Sequence, residues 1–117
     1  MTNNNNTKLD RKVDFLKCLH VNMATSELSD LLVITACGLS ESENAGIPKL
    51  IFAKIPGNNL TDGILEFNFI IQNTGAGPKK KVEWDVSVVF RMDALPKGIK
   101  AIKINAAQNA DIALLAN

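Results

Sequence analysis

From residue 82 to residue 93 the side chains alternate with a period of two. Val82, Trp84, Val86, Val88, Phe90 and Met92 fall on one side. Glu83, Asp85, Ser87, Arg91 and Asp93 fall on the other, where Val89 is the one apolar exception. Period two belongs to a strand, because successive Cβ atoms of a strand point to opposite faces. One apolar and one polar face is the pattern of a half-buried antiparallel strand. Such a strand needs neighbours for its edges and a cover for its apolar face.

The rest of the C-terminal half supplies neighbours. Residues 64–72 put Leu65, Phe67, Phe69 and Ile71 on one side, with Glu66, Asn68 and Gln72 opposite. Ile64 and Ile70 add apolar atoms to that polar side. Residues 50–55 and 99–106 alternate in the same way, and turns are expected at Pro56-Gly57-Asn58-Asn59 and Pro96-Lys97-Gly98. The segment Asn73-Thr74-Gly75-Ala76-Gly77-Pro78 is expected to connect two strands as a long hairpin loop. Residues 107–117 fit a short helix through Ala110, Ala113 and Leu114, or a strand through Ile112 and Leu114.

The N-terminal half suggests a different period. Leu9, Val13, Leu16, His20 and Met23 recur at spacings of three and four, the stripe of an amphipathic helix over 8–23. Thr25 or Ser26 could cap a second helix, with Glu27 and Asp30 in its first turn and Gly38 at its end. Leu28, Leu31, Leu32 and Thr35 form its stripe. One bent helix over 8–38 is the variant of this arrangement. Residues 39–48, rich in Ser, Glu, Asn, Gly and Pro, are expected to be a linker. The expected fold class is therefore α+β: a helical hairpin, or one bent helix, packed on an antiparallel sheet of about four strands. Residues 8–117 form a single domain in this view. Residues 1–7, with four consecutive asparagines, form a disordered tail.

Charge narrows the partners. Thirteen Lys and Arg against twelve Asp and Glu leave a formal charge of +1, too little to draw the chain to nucleic acid or to an anionic membrane. Weak charge also leaves little repulsion between copies. No apolar run is long enough for a membrane-spanning helix, which needs about 20 residues. The segment Ile34-Thr35-Ala36-Cys37-Gly38 has the residue types of a lipoprotein cleavage site, but Glu27 and Asp30 precede a short apolar run, which does not suit a leader. The two cysteines, Cys18 and Cys37, are expected to be reduced helix residues, since bridging them would require two helices to set their thiols side by side. The expected location is the cytoplasm.

No motif assembles chemistry. His20 is the single histidine, and on a helix it faces away from Cys18. His20, Cys18 and Cys37 lack the spacing of a zinc site. Glu66, Glu83 and Asp85 lie on the polar faces of two strands, where carboxylates commonly serve solubility. The glycines at 75 and 77 are not followed by the Gly-Lys-Ser or Gly-Lys-Thr of a phosphate loop. Lys79, Lys80 and Lys81 could touch an anion, but no aromatic side chain interleaves them. Catalytic, cofactor-binding and metal-binding residues are therefore expected to be none, with no cofactor and no enzyme activity.

What remains is association. Ile64, Ile70 and Val89 place apolar atoms on nominally wet faces and are the interface candidates. The expectation is a non-catalytic protein–protein interaction module forming a homodimer or larger homo-oligomer, its partner not named by the sequence. The alternative is a small-molecule or peptide binder using the face between helices and sheet.

Overall fold

The computed structural model describes residues 10–115, with the side chains of all but 41–45 and 76–79 among them. Among the described residues six strands follow one another: β1 (Arg11–Lys12), β2 (Phe15–Thr25), β3 (Asp30–Phe52), β4 (Ile64–Arg91), β5 (Ala101–Asn105) and β6 (Ala110–Leu114). A 3-10 turn, Met92–Ala94, follows β4. No α-helix forms among the described residues, so the α+β expectation is corrected to an all-β fold.

Both expected helices are strands, and each has a physical reason. In β2, the ladder with β3 slips between Leu16 and Cys18. A β-bulge there changes which parity faces inward. Val13 and Leu16 are buried before the slip, and Leu19 and Val21 pack on the core after it. The resulting spacing of three imitates a helical stripe. In β3, Leu31 to Thr35 is apolar or β-branched on both faces, as suits a central strand. Leu32, Ile34 and Ala36 are fully buried, while Leu31, Val33 and Thr35 are half-buried on the outer face. Of the two expected caps, Thr25 ends β2 and Ser26 serves a hairpin turn: the Ser26 amide donates to the Ser29 carbonyl (3.1 Å), and the Ser29 amide donates to Ser26 Oγ (3.1 Å).

Strand order is β2-β3-β4-β5-β6, with β1 pairing β4 beyond the end of β5. All neighbours are antiparallel except β4 and β5. The β3–β4 ladder runs from Leu31↔Arg91 to Phe52↔Phe67, with irregularities between Ser42 and Asn44 and between Ala45 and Gly46. The segments expected to be a linker and a hairpin loop thus face each other inside this ladder. Gly75 has φ of +153°, a conformation that L side chains rarely adopt.

The long pair folds back on itself. Phe67 and Phe90 belong to the same strand, yet their rings stack at 5.7 Å. Two rings so far apart along one extended strand can meet only if the strand bends between them. One half of the sheet is then β2 with the first part of β3 and the last part of β4. The other half holds the remaining parts of β3 and β4 with β5 and β6. Leu32, Ile34, Leu65, Phe67, Phe69, Ile71, Ile102 and Ile104 form the core between them.

Backbone bonds close one side of this arrangement. The Val13 amide donates to the Phe69 carbonyl (2.9 Å), and the Ala107 amide donates to the Val13 carbonyl (2.7 Å). The Asn109 side chain completes the corner. Its Oδ1 accepts from the Leu16 amide (2.7 Å) and its Nδ2 donates to the Leu16 carbonyl (2.9 Å). Residues 110–114 are strand, which resolves the ambiguity at the end of the chain.

Candidate interaction edge and its surroundings

The opposite side of the core is open. From Val82 to Arg91, β4 pairs with β3 along one edge. Among the described residues no strand pairs its other edge, because β5 and β1 reach only Ile64–Asn68 and Ile70–Ile71. Burial follows this geometry. Leu32, Ile34 and Ala36 are fully buried, while their β4 partners Phe90, Val88 and Val86 are only partly buried against the core, as is Trp84. The inward parity of this strand matches the sequence expectation. Trp84 Nε1 donates to Ser40 Oγ (2.7 Å), the one buried polar side chain among the described residues.

The edge lacks the backbone features that blunt one, although it carries charge at Lys81, Glu83, Asp85 and Arg91. Residues 82–91 contain no Pro, no Gly and no register slip. Elsewhere such features are present. The edge of β3 beyond residue 46 carries Pro48 and follows two irregularities. Strand β2 is bulged and lies against β5 and β6.

The outer face of the same half carries the cysteines. Cys18 and Cys37 are direct cross-strand partners with Cα atoms 5.1 Å apart, and they form a disulfide. This overturns both the reduced helical cysteines and the cytoplasmic expectation. Disulfides persist in oxidising compartments and are more typical of secreted and extracellular proteins. The antiparallel pairing brings the two thiols together, where two helices would have needed a special register.

Three potential ligand atoms, from Cys37, Glu83 and Asp85, lie within 4.8 Å of one another. The disulfide removes the sulfur from the donor set, since a metal takes a thiolate. Two exposed carboxylates remain, and Glu83 also meets Lys17 Nζ at 3.7 Å. Glu66 lies in the other half of the fold, where it accepts from Asn105 Nδ2 (2.7 Å). The three candidate carboxylates therefore do not converge. His20 stands opposite Thr35 on β3, exposed.

The interface candidates are also separated. Ile64 opens β4 and is half-buried, Ile70 is buried at 6% exposure, and Val89 near the other end is 59% exposed. Only Val89 lies beside the open edge. Lys80 and Lys81 are exposed on β4 opposite Ser42 and Glu41, and the side chain of Lys79 is outside the described residues. Sequence reasoning missed the edge because pairing partners, not residue types, define it. A cleft of about 590 Å³ lies between two loops and is lined by Phe52, Asn58, Asn59, Asp93 and Lys97 among others. No helix of the described residues is long and apolar enough to cross a membrane. No family model, curated protein or solved structure matches the chain.

Proposed function

We propose that this protein is a non-catalytic interaction module that associates with copies of itself. The observation that carries this is that, among the described residues, no strand pairs the second edge of β4 over residues 82–91, beside a core that is open along the same line. Unpaired strand edges are templates for pairing with another chain. The exposed remainder of the partly buried Trp84, Val86, Val88 and Phe90 adds apolar area, which is stabilised by about 25 cal/mol per Å² when removed from water. Further apolar side chains stand far out, with Leu28 at 86%, Ile55 at 94% and Leu114 at 77% exposure. The near-zero net charge opposes association little. Sedimentation equilibrium across a micromolar concentration series tests the proposal. A mass that rises with concentration toward a closed oligomer supports it, and a constant monomer mass refutes it.

The cleft at Phe52 favours a second function, binding of a small molecule or peptide. Its polar groups come from loops rather than from a helix–sheet interface, which the fold does not contain. Ligand-induced NMR shifts confined to residues 56–59 and 93–97 would support that function. Their absence across a chemically diverse fragment set would count against it.

A further inference from the structure

We infer that the partner on the free edge of β4 is the β4 edge of a second copy, antiparallel, with the twofold axis perpendicular to the sheet at Ser87. This rests on the self-association proposed above and names its geometry. A twofold contact between identical chains must be complementary to itself. For β4 this can be tested residue by residue, because the outer face carries a charge pattern: Lys81, Glu83, Asp85, Ser87, Val89, Arg91.

Registers are few. Inward residues must face inward residues, so the axis passes through a residue rather than between two. An axis at Asp85 sets that carboxylate against its own copy. At Val86 it sets Lys81 against Arg91. At Val88 it pairs Asp85 with Arg91 but brings Glu83 to the turn that carries Asp93, and on the inner face it sets Trp84 against Met92 and Val86 against Phe90; at Val89 it brings Asp85 to Asp93 and leaves Arg91 against Ser87. Like charges directly opposite are destabilising. With the axis at Ser87, Glu83 faces Arg91 of the second copy, and symmetry makes this pair twice. Asp85 then faces Val89, Ser87 faces Ser87, and Lys81 falls beside the turn that carries Asp93. On the inner face Trp84 meets Phe90 and Val86 meets Val88, so aromatic meets aromatic and β-branched meets β-branched, as cross-strand pairs prefer.

The same pairing continues the three-stranded half across the axis into a six-stranded sheet. It also covers what the edge position leaves uncovered of the partly buried inward side chains of β4. In the single chain, Arg91 holds Asp93 (2.7 Å) and Glu83 lies near Lys17 (3.7 Å). Both pairs are exposed, contribute little and exchange readily. Strand β2 also has a regular stretch after its bulge, but its residues 18–25 carry no Asp, Glu, Lys or Arg to select a register.

The test is a charge swap with a cross-link, in the full chain with the Cys18–Cys37 bond intact. Glu83→Arg and Arg91→Glu each turn two attractive pairs into two repulsive ones and should weaken the dimer about tenfold or more. The double variant restores opposite charges and should recover the wild-type constant to within about threefold. Both side chains are about half exposed (52% and 57%), so circular dichroism should show the fold unchanged. Ser87→Cys should form a covalent dimer on mild oxidation. Val89→Cys should not, because that side chain faces Asp85 of the second copy. A wild-type dimer indifferent to both reversals, with no Ser87→Cys cross-link, overturns this interface while self-association stands. A wild type that stays monomeric overturns the association itself.

Discussion

Breaking the Cys18–Cys37 bond should weaken the fold without changing it. The two residues are 19 apart in sequence, and their strands are joined by the short Ser26–Ser29 turn. Closing a loop of this length removes unfolded-chain entropy equivalent to about 3 kcal/mol. Local structure of the hairpin in the unfolded chain lowers that figure, so about 2–3 kcal/mol is expected. For a domain of about 100 residues this corresponds to a loss of about 10–20 °C in melting temperature. Cys18→Ser/Cys37→Ser tests it cleanly, because both side chains lie on the half-buried outer face and serine leaves no core cavity. The ladder from Val21↔Ile34 to Thr25↔Asp30 persists without the bond, so the β-type circular dichroism spectrum should be unchanged. Urea denaturation of the wild type, the reduced wild type and the double variant gives the numbers. Reduced wild type and double variant should agree. A double variant within about 0.5 kcal/mol of the oxidised protein, the scale of ordinary surface substitutions, would refute the reasoning. So would two thiols titrating in the native protein before any reductant is added.

Gly38→Ala should destabilise by about 1–3 kcal/mol in a thermal melt, because a Cβ there would sit 2.5 Å from the Phe15 carbonyl oxygen and 2.7 Å from Val13 Cγ1, and backbone gives way poorly. Asn109→Ala removes both bonds to the Leu16 backbone and should cost about 1–3 kcal/mol, with faster amide exchange at Leu16 as the local readout. Phe67→Ala should cost about 3–5 kcal/mol by urea denaturation, since the ring is buried and stacks on Phe52 at 5.0 Å and on Phe90 at 5.7 Å.

The sequence alone revealed those strands that alternate without interruption. Residues 64–72, 82–92 and 100–106 all lie on or beside observed strands, and the inward sides of the first two are as expected. The N-terminal half misled for local reasons. A bulge after Leu16 rewrote period two as period three, and a central strand apolar on both faces carried no period at all. Ser26 suits a turn as well as a cap, since the same side-chain bond to a nearby amide serves both. Glycines at 75 and 77 with Pro78 looked like a turn, yet an irregular ladder accommodates them. The candidate edge was half legible. Its inward face was evident from Val82 to Met92, but which strand lacks a neighbour is a property of topology. The disulfide likewise depended on knowing that residues 18 and 37 stand opposite each other. Val89 was singled out and does flank the edge, whereas Ile70 is covered within the chain.

Association of copies of this chain can be measured directly by light scattering coupled to size-exclusion chromatography, run on the oxidised protein at micromolar concentration. The expected mass is at least twice the 12.7 kDa of one chain, falling toward 12.7 kDa on dilution. A mass of 12.7 kDa at every concentration would contradict it.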